Sequence, residues 1–170
     1  QVSGELGSGA AVDAMVDAQN RHAASQAHTA THIVHAALRE LVGKDATQAG
    51  SYNKPGYLRF DFSATHGLSD ALKQEVEELS NEAILKNYAV TDQRMPLEEA
   101  TALGAMAMFG EKYPPIVRMV ELAGPWSREL CGGTHVGTTA QIGVLNLMSE
   151  QSIGSGVRRV EALVSEDAFK

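Results

Sequence analysis

His28 and His32 in HTATH, and Cys131 and His135 in CGGTH, form two doublets, each with three residues between its donors. Imidazole and thiolate together are donors that zinc accepts well. The first doublet lies in AHTATHIVHAALREL, a stretch with helical periodicity and few breakers. On a helix, positions i and i+4 stack on one face, so both rings can reach one ion. The second doublet spans Gly132 and Gly133, which disfavour a helix, so a loop is expected to bring Cys131 and His135 from the other side. A lone HxxxH is a weak signal, because it arises by chance on many helices. The only cysteine of the chain, falling at the same step from a histidine, turns it into a Cys/His cluster. His35 shares the helix face at i+7 and reads as a core histidine or a support for a ligand. His22 and His66 lack partners at ligand spacing and read as surface residues.

The elements that must position these donors are mixed. A helix is predicted from about Asn20 to Leu41, ended by Gly43, with Ile33, Ala37, Leu38 and Leu41 as its core stripe. Residues 11–17, AVDAMVD, alternate well enough for a strand, and residues 50–56, GSYNKPG, read as a turn. YLRFDF predicts a strand with Tyr57, Arg59 and Asp61 on one face and Leu58, Phe60 and Phe62 on the other. A second long helix is expected from about Asp70 to Asn87, capped by Ser69 or Asp70, its acids forming a solvated face. Strands are predicted at 88–95, 116–122, 141–153 and 156–164, with a short helix from Pro96 to Ala102 and a loop-rich segment, GPWSRELCGGTHVGTT, carrying the second doublet. Met106 and Met108 read as core packing. Without strict βαβ alternation, the fold class is α+β, mainly an antiparallel sheet with packed helices and the zinc-type site between a helix and a loop.

The bulk numbers bound the function. The 170 residues suffice for one domain with a real core. A net charge of −7 has the wrong sign for a chain living by bulk attraction to nucleic acid, so any RNA contact is expected to be local. No apolar run is long enough for a transmembrane helix, and QVSGELGSGA has neither the basic nor the apolar part of a signal peptide. Lacking an initiator Met, the chain reads as a fragment of a longer polypeptide. A single cysteine forbids an internal disulfide and fits a reducing cytoplasm.

HTATHIVHAALRELVG, then QAGS from Gln48, then LRFDF, MFGEKY, ELCGGTHV and GVRRVEAL, in this order, resemble the editing domain of alanyl-tRNA synthetase. Free-standing alanyl-tRNA editing proteins share the domain, and the editing domain of threonyl-tRNA synthetase is a more distant relative. The likeness covers about residues 11–165. It implies that residues 1–17 end a small preceding β-rich subdomain or linker and that 18–170 form the editing domain. It further implies an aminoacyl-tRNA deacylase with Zn2+, held by His28, His32, Cys131 and His135, and with Gln48 taking part in editing. The substrate implied is alanine tRNA mischarged with serine or glycine, the partners that tRNA and the rest of a parent synthetase, with no membrane involved. The loop SATHGLS departs from the commoner pattern of the family, so His66 receives no role.

The chemistry is consistent with a second, hydrolytic site. A pocket built for alanine cannot strongly refuse glycine, since one methyl is worth only about 1–3 kcal/mol. An editing site should read the serine hydroxyl through a polar group, and Thr29, Thr31 and Gln48 are the candidates, with Thr31 preferred and backbone bonding the plain alternative for both threonines. The ion either activates water or positions substrate. HTATH lacks the glutamate base of HExxH peptidases, which weakens a peptidase reading. Four protein donors would close a tetrahedron, as in a structural site, while a hydrolytic site wants an open position, so His135 is a ligand, a loosely held one, a support for the other ligands, or one displaced by substrate. Arg158 and Arg159, after Gly154 and Gly156, are candidates for the tRNA 3′ end, with internal ion pairs as the plain alternative. Lys112 is a weaker candidate, and Glu129 is either a support for the ligands or an ordinary loop acid. The competing reading of the whole is a non-catalytic tRNA-binding module with structural zinc.

Overall fold

A computed structural model describes residues 4–5, 7–108 and 111–170. Parts of the expected N-terminal turn and of the MFGEKY motif lie outside the described residues. The chain builds helix α1 (Ala18–Leu41), strands β1 (Gln48–Lys54) and β2 (Tyr57–Ser63), helix α2 (Asp70–Leu85), strand β3 (Val90–Pro96), helix α3 (Leu97–Ala102), and strands β4 (Ile116–Leu122), β5 (Ser127–Leu130), β6 (Leu145–Gly154) and β7 (Val157–Val164). Every strand pair is antiparallel, in a four-stranded sheet of order β1-β2-β7-β6 and a three-stranded sheet of order β3-β4-β5. The class is α+β, as the mixed patterning implies.

Helix α1 runs through the middle. Asp17 caps it by accepting the Asn20 amide at 2.8 Å, and Gly43, at φ +137°, ends it. Its second half is enclosed almost all round, with Ala27, Ala30, Ile33, Val34, Ala37 and Leu38 at zero exposure. They pack on Leu58, Phe60, Phe62, Val160 and Ala162 from the inner face of the four-stranded sheet. Each large apolar side chain buried this way contributes about 1.5–3 kcal/mol. Polar groups on the same half of α1 are therefore buried too and need partners. A separate small core joins Met95, Ala100, Val117 and Met119. No helix among the described residues is long and apolar enough to cross a membrane.

Four expectations change. Residues 11–17 form no strand, and Val12, Met15 and Val16 are 64%, 94% and 64% exposed; alternation alone cannot hold a strand that has no neighbour to pair with. Residues 50–54, expected as a turn, belong to β1, and only Pro55–Gly56 turn; Gly56 at φ +73° supplies the bend. The four residues Ser127–Leu130 form β5 inside the segment expected to be loop, because the edge of β4 pairs with them. Residues 139–142 form a short 3-10 turn before β6 rather than its beginning.

Candidate metal centre

His28 and His32 project from one face of α1 into the space closed by the loop after β5, which carries Cys131 and His135. The donor atoms of all four lie within 4.8 Å of one another. Cys131 Sγ is 3.5 Å from His28 Nε2 and 3.4 Å from His135 Nε2. Tetrahedral zinc, with bonds of about 2.0–2.1 Å to nitrogen and about 2.3 Å to sulfur, places nitrogen and sulfur about 3.6 Å apart. The donor set thus matches an ion of that size and softness in type and in spacing.

The residues around the donors point each one. Val136 donates its amide to Thr29 Oγ1 at 3.1 Å, and His135 Nδ1 sits 3.1 Å from the same oxygen. Thr29 therefore holds the His135 ring with Nε2 turned toward Cys131. Glu129, 9% exposed, points inward from β5 and bridges two histidines. Its Oε1 accepts from His35 Nδ1 at 2.9 Å, and His35 Nε2 lies 3.2 Å from the Ala46 carbonyl. Its Oε2 lies 3.2 Å from His32 Nδ1, within ion-pair range but off hydrogen-bond alignment. The pairing of carboxylate, imidazole and metal is the usual way a ligating histidine is oriented. His35 is thus the buried support expected for it, and Glu129 is no ordinary loop acid. Gly133 is obligatory in a different way: a Cβ there would lie 2.0 Å from His28 Cε1.

The electrostatics follow. Burial alone would raise the Cys131 thiol, but contacts to His135, His28 and His32 outweigh it and bring it down to about 3. Burial alone would lower His32; the Glu129 carboxylate overrides it, with Cys131 helping, and raises the imidazole to about 10. Glu129 is held far below the usual carboxylate range, its burial outweighed by His32 and His35. His135 is lowered, mainly by burial. The thiolate is the form that ligates a metal ion, whereas His32, an imidazolium in the metal-free cluster, must release its proton to ligate.

The cluster forms one wall of a cleft of about 450 Å³, lined also by Thr31, Gln48, Ser51, Met108, Glu111 and Arg118. Cys131, His28 and His32 line it, and His135 does not. Gln48 opens β1 beside a bulge in the β1–β2 pairing, and its Nε2 points to Ser51 Oγ at 3.2 Å. Thr31 donates its hydroxyl proton to the Ala27 carbonyl at 2.9 Å, leaving the oxygen able only to accept.

The two arginines of β7 are elsewhere. Arg159 forks onto Asp61 of β2 at 2.7 and 2.9 Å. Arg158 pairs with Glu150 of β6 and lies under Gly67. Neither lines the cleft. His22, His66 and Lys112 are exposed. Arg118 of β4 does line the cleft, and no spacing in the sequence marks it.

Comparison with known proteins agrees with this geometry. The family described as the threonyl and alanyl tRNA synthetase second additional domain matches residues 117–161, from β4 through the Cys131 loop into β7. Over 169 residues the chain is 70% identical to an alanine–tRNA ligase of Cutibacterium acnes, covering 99% of this chain and 19% of that protein. Ligases of Renibacterium salmoninarum and Paenarthrobacter aurescens are 60% and 62% identical over 167 residues, again covering 98% of this chain and 19% of each relative. The chain spans about a fifth of the length of these relatives.

Proposed function

The chain belongs to the editing-type region of the alanine–tRNA ligases, and from this we propose that it is an aminoacyl-tRNA deacylase that clears alanine tRNA mischarged with serine or glycine. The observation that carries the reading is the convergence of His28, His32, Cys131 and His135 on the wall of a cleft that also holds Gln48 and Thr31. The imidazole and thiolate donors favour Zn2+ as the ion. When bound, it supplies a fixed positive charge and Lewis acidity beside the ester.

The side chains do the sorting. Thr31 Oγ1, its proton committed to Ala27, accepts from a serine hydroxyl, and the methyl of alanine offers nothing in return. Gln48, its amide nitrogen turned to Ser51, leaves its carbonyl oxygen to orient water at the ester carbon. The Thr31 contact separates seryl from alanyl esters; glycine, which also lacks a hydroxyl, is proposed as a substrate from the family likeness and not from this contact. The mischarged alanine tRNA and the remainder of a synthetase are the proposed partners, and the cytoplasm the proposed setting. Arg158 and Arg159 could reach tRNA only through guanidinium atoms not already held by Glu150 and Asp61, which makes them weaker candidates than a cation at the cleft.

The test is deacylation of seryl-, glycyl- and alanyl-tRNA bearing the alanine anticodon. Seryl and glycyl esters are expected to be cleaved and the alanyl ester spared, with Cys131→Ala and Gln48→His losing activity. Equal turnover of seryl and alanyl esters contradicts the proposal. One observation favours a second reading: four protein donors fill a tetrahedron, the arrangement of a structural site. On that reading the domain binds tRNA with structural zinc, releases no serine, and unfolds when Cys131 is replaced.

A further inference from the structure

We propose that Arg118 is a positioning residue that sets the Cys131 thiolate for metal ligation by gripping the backbone of the loop that carries it. Cys131, Gly132 and Gly133 have little means of holding their own shape, since two of the three are glycines, with the widest backbone freedom. Among the described residues, the hydrogen bonds that tie this backbone to the rest of the fold all go to Arg118. The Cys131 amide donates to the Arg118 carbonyl at 3.0 Å. Arg118 Nη1 donates to the Cys131 carbonyl at 3.1 Å and to the Gly133 carbonyl at 2.6 Å. The guanidinium is in turn fixed by Nε donating to Asp92 Oδ2 of β3 at 2.8 Å. A rigid strand, a planar fork and a cross-strand carboxylate thus form a chain of constraints ending at Sγ.

The geometry explains why an arginine occupies this site. A lysine ammonium can serve one or two of these acceptors but cannot hold both loop carbonyls and Asp92 in one plane. Pulling both carbonyls toward β4 also sets the path of Gly133 against the His28 ring, where the clearance is too small for a Cβ. Arg118 therefore acts on two ligands, Cys131 directly through its peptide and His28 through the packed glycine. Its effect passes through peptide atoms, and it need not touch the substrate. Distances of metal bonds tolerate only about ±0.2 Å, so a loop that drifts costs affinity steeply.

The inference rests on the metal-dependent reading above, and cobalt substitution separates the two. In the full-length protein that contains this chain, Co2+ bound by Cys131 gives a sulfur-to-cobalt charge-transfer band, and the imidazoles give ligand-field bands. Arg118→Met and Arg118→Lys are expected to weaken the charge-transfer band and lower cobalt affinity about 10–100-fold, the range for residues that orient ligands. Asp92→Asn, at an exposed side chain that leaves the fold intact, is expected to give a smaller shift of the same sign. For deacylation, kcat should fall while KM stays near wild type. Free guanidinium added to an Arg118→Ala variant should restore part of the band. A full-strength band with wild-type cobalt affinity in Arg118→Met overturns the proposal. Absence of the band from the wild type overturns the metal reading and this proposal together. A normal band in a wild type that cleaves no ester removes the deacylase reading and leaves the role of Arg118 standing.

Discussion

Replacing Gly133 with alanine tests the geometry of the centre most directly. The added Cβ would lie 2.0 Å from His28 Cε1, 2.3 Å from Nδ1 and 3.3 Å from Nε2. Ordinary contact begins at 3.4 Å, so ring and loop must separate by 3.4 − 2.0 = 1.4 Å. That is several times the roughly ±0.2 Å that a metal bond allows. Movement by the loop instead strains the 2.6 Å bond from Arg118 to the Gly133 carbonyl. Either way His28 or the loop carrying Cys131 is moved out of the cluster, which on the metal-binding proposal withdraws one of four donors. Removing a supporting residue costs about 10–100-fold in metal affinity, so losing a donor should cost at least about 100-fold, or about 2.7 kcal/mol. The backbone itself tolerates alanine, since Gly133 lies outside the left-handed region. Gly132→Ala is the matched control, because a Cβ there meets nothing within 4 Å. Zinc affinity by chelator competition, alongside thermal unfolding of the chelated proteins, reads both effects. Wild-type affinity in Gly133→Ala, or equal weakening in Gly132→Ala, would refute the reasoning.

Glu129→Gln keeps the size of the side chain but removes the charge shared by His32 and His35; zinc affinity is expected to fall about 10–100-fold, and an unchanged chelator titration would count against the bridging role. Thr29→Val leaves the buried Val136 amide without its acceptor and frees the His135 ring, which should cost about 1–3 kcal/mol in urea unfolding; a loss below a few tenths would show that water or a neighbour replaces the hydroxyl. The metal-free protein should show a pH signature. Cys131, lowered from 9.0 to about 3, gives stability that is complete above pH 9 and lost as pH falls toward 3. His32, raised from 6.5 to about 10, gives stability that is complete below pH 6.5 and lost as pH rises toward 10. Their slopes cancel between 6.5 and 9, so the chelated protein should be most stable there and weaken on both sides. A thermal midpoint in chelator that stays level from pH 5 to pH 10 would rule this out.

Much of this molecule was already legible in its residue order. Period and the Gly43 stop announced α1, though not its Asp17 cap, and local pattern announced the faces of β2, the Ser69 cap of α2 and the turn before β7, because each depends on neighbours a few residues apart. The i, i+4 step announced that His28 and His32 share a face, and the lone cysteine beside a histidine supplied their complement. What only the tertiary structure decided is everything that needs a partner distant in the chain. β1 and β5 exist because an adjacent strand pairs with them, and residues 11–17 fail as a strand for want of one. Asp61 looked outward by alternation yet is 6% exposed, because the Arg159 fork closes over it. Thr29, Glu129 and Arg118 acquire their meaning from contacts spanning 106, 94 and 13 residues. Local pattern fixes which face a side chain takes; only packing fixes what waits on that face, and the pointing of His28, His32, Cys131 and His135 toward one another is decided there.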